Sequence, residues 1–141
     1  MTEPGREPGS PFGIAEVTGP SMHPTLAHGD RLLVHYGAAV RAGDVAVLRH
    51  PLQQDLLIVK RLVERRDGGW WVLGDNPYAE GDSRVFGTVP DELLLGRVRG
   101  RYRPRPRGAR QPSVRSAVAW AVSALRPVLS DRSVSRRLRA R

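Results

Sequence analysis

Two side chains in this sequence could together carry acyl-transfer chemistry, Ser21 and Lys60. A serine hydroxyl attacks a carbonyl only when a nearby base takes its proton. Of the 23 cationic residues, a single one is lysine, at position 60; every other is arginine. Arginine holds its proton at any working pH, whereas a desolvated lysine can release its own near neutrality. Lys60 sits in the apolar stretch Leu56–Val63, between Val59 and Arg61. A neutral amine there can accept the Ser21 proton and return it to a leaving amine. The competing bases are His23, His28, His35 and His50, which with Asp75 or Asp82 supply the parts of a Ser-His-Asp triad. Their spacing favours neither a triad nor a metal site. Taken alone, Ser21 reads equally well as a turn residue, and Lys60 as a strand lysine with its head in solvent.

The elements that must position this pair read as short strands separated by Gly and Asp turns. Strand patterns cover residues 14–18, 31–36, 45–48, 56–63, 70–73 and 96–102. Gly19-Pro20 ends the first, and Ser21 follows it in a Pro-containing connection. Gly68-Gly69 marks a hairpin between the strand carrying Lys60 and Trp70–Leu73. A Gly-, Asp- and Asn-rich loop fills residues 74–87, and Pro90–Leu94 suits a single helical turn. The expected fold is mostly β and barrel-like. The expected organisation is a flexible N-terminus over 1–13, a catalytic domain over 14–102 and an Arg-rich linker and tail over 103–141. Within the tail, Val114–Leu129 suits a short basic amphipathic helix.

In order along the chain, five motifs resemble the boxes of the type I signal peptidases and their relatives. GPSMHPTL at 19–26 is similar to the nucleophile box, and GDVAVLRHP at 43–51 to the Gly-Asp box that follows it. VKRLV at 59–63 resembles the box carrying the general base, GDNPYAEGDSRVFG at 74–87 the GDN…DSRxxG loop, and GRV at 96–98 the closing strand. The resemblance covers roughly residues 14–102. It implies a Ser21–Lys60 dyad, no metal and no cofactor, and cleavage after small residues in an extended protein substrate. It implies oxyanion and substrate contacts at Gly19, Ser21 and Met22. It also implies structural support from Asp75, Asn76, Asp82, Ser83 and Arg84, with Asp82 and Arg84 paired beneath the site. Asp82 and Arg84 would share one face if that loop is extended. Where the family commonly has a serine near the lysine amine, this chain has Glu80; a carboxylate close to Lys60 would hold the amine protonated. Among the relatives, an untethered chain with a basic tail most resembles the maturation proteases of nickel-type superoxide dismutase. The implied substrate is then the leader of a superoxide dismutase precursor, the alternative being exported preproteins cut at the membrane surface.

Composition bounds these readings. Without cysteine, disulfides, thiolate metal sites and thiol nucleophiles are excluded. No apolar run is long enough to span a bilayer as a helix, and the polar start has no signal-peptide pattern, so a cytoplasmic location is expected. The net charge of +9 is uneven: residues 97–141 hold 14 arginines and one acid, Asp131. Such a tail suits peripheral contact with an anionic membrane. A nucleic-acid-binding module run by this tail leaves the five boxes unexplained, so no specific nucleic acid is expected. A self-cleaving repressor would need an N-terminal DNA-binding helix-turn-helix, which 13 polar residues do not provide.

Overall fold

The computed structural model describes residues 2–6, 9–104, 125–131, 133 and 138. Nine strands form one antiparallel sheet: β1 (Thr2–Arg6), β2 (Phe12–Glu16), β3 (Arg31–Tyr36), β4 (Val45–His50), β5 (Gln53–Arg66), β6 (Gly69–Leu73), β7 (Val89–Pro90), β8 (Leu94–Tyr102) and β9 (Leu125–Pro127). Their order is β1-β2-β3-β8-β4-β5-β6-β7, with β9 also paired to β8. The mostly β fold read from the sequence is what the chain adopts.

Side-chain alternation explains the strands. On β3, Leu32 and Val34 are buried while Arg31 and Leu33 face outward. β4 runs between β5 and β8, and each of its faces packs into an apolar cluster of its own. Val45 and Val47 enter one apolar cluster with Met22, Leu26 and Val98, while Ala46 and Leu48 enter another with Leu62, Trp70 and Val72. A strand buried on two faces reads as a continuous apolar run, which is how Val45–Leu48 appears in the sequence. The hairpin between β5 and β6 turns at Asp67-Gly68, one residue earlier than the Gly-Gly pair suggests. Both residues have positive φ, 53° and 77°, matching the twist that favours this turn class. Gly69 instead opens β6, where a Cβ would lie 2.4 Å from the Val89 carbonyl oxygen.

Three segments differ from the sequence-based expectation. Thr2–Arg6, expected to be flexible, pairs with β2 as an edge strand. Edge pairing uses backbone groups and tolerates the Pro and Gly that argue against strands elsewhere. Leu125–Pro127, expected at the end of a helix, is a strand against the end of β8; residues 105–124 lie outside the described residues. Charge-based reading also misses that Val128 and Leu138 are buried, the latter beside Val63 and Leu73. Lastly, the 74–87 loop contains a one-turn helix, α1 (Ser83–Phe86). The Pro90–Leu94 turn is a 3₁₀ turn over Asp91–Leu93. Among the described residues, no helix is long and apolar enough to cross a membrane.

Candidate active site

Ser21 is half-buried in the turn after β2, and its neighbours hold it there. Met22 and Leu26 are fully buried in the core, and the Leu26 amide donates to the Met22 carbonyl at 2.9 Å. These two anchors fix the turn from below. From the side, Asn76 clamps it twice: its amide donates to the Ser21 carbonyl and its Nδ2 to the Pro20 carbonyl, both at 3.0 Å. Gly74 completes the seat. A Cβ there would lie 2.4 Å from the Ser21 carbonyl oxygen, a distance no side chain tolerates. Gly74→Ala must therefore push Ser21 away, and a shift of about 1 Å can cost ~100-fold in rate. A loss of that size in peptide kcat/KM, with the fold retained by circular dichroism, is the expected result.

Lys60 lies on β5. It pairs with Ala46 across β4, and is only 4 % exposed. Arg61 pairs with Leu73 across β6. Gly74, on which Ser21 rests, directly follows Leu73 in the chain.

Burial lowers the lysine pKa below its ordinary value of 10.5, because the ammonium loses its water; Asp82 partly offsets this and Arg84 adds to it. The Asp82 carboxylate is engaged by other donors. It accepts from the Arg84 backbone amide, Nε and Nη2 at 3.1, 2.9 and 3.0 Å, and from the Gly74 amide at 3.3 Å. Burial works to raise the Asp82 pKa, but the bonds from Arg84 and Gly74 prevail and hold it below its ordinary value. Among the described residues, no carboxylate forms an ion pair with Lys60.

The Asp82–Arg84 pair expected beneath the site is present, but by a different route from extended alternation. Asp82 caps α1, so the helical turn carries Arg84 back onto the carboxylate that starts it. Ser83 points inward, its Oγ accepting the Val72 amide at 2.8 Å. Glu80 is exposed, and its charge acts on Arg84 rather than on Lys60. Of the three expected oxyanion positions, the Gly19 amide donates to His28 Nδ1 at 3.0 Å, and Met22 turns its side chain into the core. Among the described residues, no acceptor takes the Ser21 amide. The histidines are dispersed. His35 stacks on Phe12 and His50 packs at a tilt against Phe86, while His23 and His28 are exposed.

Sequence reasoning gave no role to Arg61 or Thr25. Both are organising residues. Arg61 Nε and Nη2 bind the two Asp75 oxygens at 2.8 and 2.7 Å, Nη1 binds the Gly43 carbonyl at 2.7 Å, and Thr25 Oγ1 donates to Asp75 at 2.5 Å. One buried ion pair thus ties the serine turn, the Gly-Asp turn before β4, the lysine strand and the Asp75-Asn76 loop together. The usable signal was the arginine beside the lysine in an apolar strand, because a buried guanidinium needs a carboxylate.

Residues 5–86 match the Peptidase S24-like family, well over half of the chain. The chain belongs to that family. It is 32 % identical over 114 residues to the mitochondrial ATP-independent inner membrane protease subunit 1a of Arabidopsis thaliana, covering 62 % of this chain and 68 % of that one. It is 29 % identical over 119 residues to the mitochondrial inner membrane protease subunit 1 of Schizosaccharomyces pombe, covering 67 % and 76 %. The human subunit 1 is 26 % identical over 110 residues, covering 61 % and 66 %. These relatives are all named as inner membrane protease subunits, and none of them is named for superoxide dismutase.

Proposed function

We propose that this peptidase-like chain is a serine endopeptidase that removes N-terminal leaders from preproteins, with Ser21 as nucleophile and Lys60 as general base. The observation that carries this is the buried, cation-disfavouring setting of Lys60 in the strand next to Arg61, whose carboxylate partner Asp75 also holds the serine turn through Thr25. In the first step, Lys60 Nζ takes the Ser21 Oγ proton while Oγ bonds to the scissile carbonyl carbon. The Ser21 amide faces the developing oxyanion. The C–N bond then breaks, and Lys60 returns its proton to the departing amine. A water then attacks the acyl carbon as Lys60 takes its proton, the Oγ–C bond breaks, and Lys60 passes that proton to Oγ, restoring Ser21 and the neutral amine. Asp82 and Arg84 keep an opposite charge close but occupied, so that Lys60 is not locked as an ammonium.

The relatives, all subunits of inner membrane proteases, favour signal-peptidase-like processing at a membrane surface. The superoxide dismutase precursor rests on the resemblance in sequence alone, and is the second substrate to try. Contact with anionic lipid through the basic tail belongs to the same reading. The test mixes the purified protein with a secretory preprotein and, separately, with a nickel superoxide dismutase precursor. Mass spectrometry then reads the new N-termini. Cleavage of the preprotein is the expected result. Cleavage of the dismutase precursor alone would transfer the proposal to that substrate, and two intact substrates would remove it.

A further inference from the structure

The turn that clamps the serine also presents an aromatic ring to solvent. Asn76 binds the Ser21 and Pro20 carbonyls, and it shapes the chain beyond it as well. Its Oδ1 accepts the Tyr78 amide at 3.0 Å, and its carbonyl accepts the Ala79 amide at 3.3 Å. The Tyr78 backbone is thereby fixed to the serine turn. Its side chain is 94 % exposed, more than any other large apolar side chain among the described residues. The fold gains no burial from this ring. Apolar residues scattered singly on a surface need no explanation, but here two share one hollow. Tyr78 and Val85, itself 69 % exposed, line a space of about 350 Å³ with Pro77, Ala79, Glu80 and Arg84.

The charges on its wall are engaged. Arg84 is held by both Asp82 oxygens and, through Nη2, by the Ala79 carbonyl at 3.1 Å, and the Glu80 charge acts on Arg84. What the hollow offers an occupant is therefore Tyr78, Val85 and Pro77. Position selects that occupant. The Tyr78 Cα lies at most about 7 Å from that of Asn76, two peptide units away. An extended peptide advances about 3.3 Å per residue, so a substrate held at Ser21 is within reach of the ring roughly two to four residues from its scissile bond.

We propose that Tyr78 and Val85 form a subsite for a large apolar side chain of the substrate, to one side of the scissile bond, and so select among leaders. This rests on the peptidase reading and adds to it an element of specificity outside the catalytic pair.

The test uses a labelled peptide spanning the cleavage site of a secretory preprotein. Tyr78→Ala, at a side chain too exposed to matter for folding, should raise KM about tenfold, the size of one lost aromatic contact. Its kcat should stay within about twofold of wild type. Tyr78→Phe should keep the wild-type KM, and Val85→Ser should raise it severalfold. Alanine placed in turn at each large apolar residue of the peptide should find one position that raises KM for wild type but not for Tyr78→Ala. Fluorescence anisotropy of the same peptide on Ser21→Ala reads affinity without chemistry, and adding Tyr78→Ala should weaken it about tenfold. A peptide that stays uncut by wild type yet binds Ser21→Ala through Tyr78 would remove the peptidase reading and keep the subsite. Binding and KM that ignore Tyr78 would overturn the subsite, whether or not the peptide is cut. So would a loss confined to kcat, which would make Tyr78 a positioning residue for the serine turn. A Tyr78→Ala effect seen only in retention on lipid vesicles, or only in self-association on sedimentation, would give the ring to a membrane or a second copy and overturn the proposal.

Discussion

Lys60→Arg is expected to reduce cleavage as far as Ser21→Ala does, by roughly 10⁴-fold or more, with the double variant little worse than either. Arginine retains the charge and approximate length of lysine, so a structural or electrostatic role would survive in part. It cannot serve as the base, because a guanidinium stays protonated at every working pH. The wild-type rate should climb with pH as the buried amine deprotonates, with its midpoint below the ordinary lysine value of 10.5.

The same depressed pKa has a consequence for stability. The unfolded lysine binds its proton more tightly than the folded one, so burial of the ammonium is a penalty at low pH. That penalty is complete below the folded pKa and is relieved as pH rises from there toward 10.5. Lys60→Met should therefore be inactive yet more stable than wild type at pH 7, on the order of 1 kcal/mol. The gap should close in alkaline solution. Thermal melts between pH 6 and about 10 read this directly. A folded Lys60→Arg protein that still cuts at a near-normal rate would remove the dyad and return the search for a base to the histidines.

How much of this was legible beforehand follows from how each feature is encoded. β3 and β4 announce themselves because burial imposes alternation or a continuous apolar run, and both patterns are local. Met22 and Leu26 show as apolar residues flanking a turn, although their depth in the core is not local information. The Asp82–Arg84 pairing was legible as chemistry but not as geometry, since the cap of a four-residue helix is invisible to periodicity. Edge strands escape because their stabilisation lies in backbone groups, and β1 carries Pro4 and Gly5. The C-terminal stretch misleads for another reason. Its arginines dominate the composition, yet among its described residues Val128 and Leu138 enter the core. Removing that stretch would remove core side chains as well as charge.

The other large effect is expected at a pair that touches no substrate. Arg61 and Asp75 are 3 % and 5 % exposed, so their charges have almost no water to fall back on. Asp75→Asn keeps the shape but leaves the guanidinium without its counter-charge, and breaking such a pair from one side costs about 3–5 kcal/mol. Denaturant melts should show this as a lower midpoint with an unchanged slope. Arg61→Lys should restore little, because a single ammonium cannot span both Asp75 oxygens and the Gly43 carbonyl as the guanidinium does. The informative variant replaces both partners, Arg61→Met with Asp75→Leu. With neither charge left unpaired, stability should return to within about 1–2 kcal/mol of wild type. Activity should not return with it. Asp75 also holds Thr25, and its neighbours Gly74 and Asn76 seat the Ser21 carbonyl, so the serine turn loses its tie to the lysine strand. kcat should stay reduced by about 100-fold while KM changes little, the pattern of a positioning loss. Recovery of full kcat in the stable double variant would show that the pair serves the fold alone, and that Met22, Leu26 and Asn76 suffice to set Ser21 against Lys60.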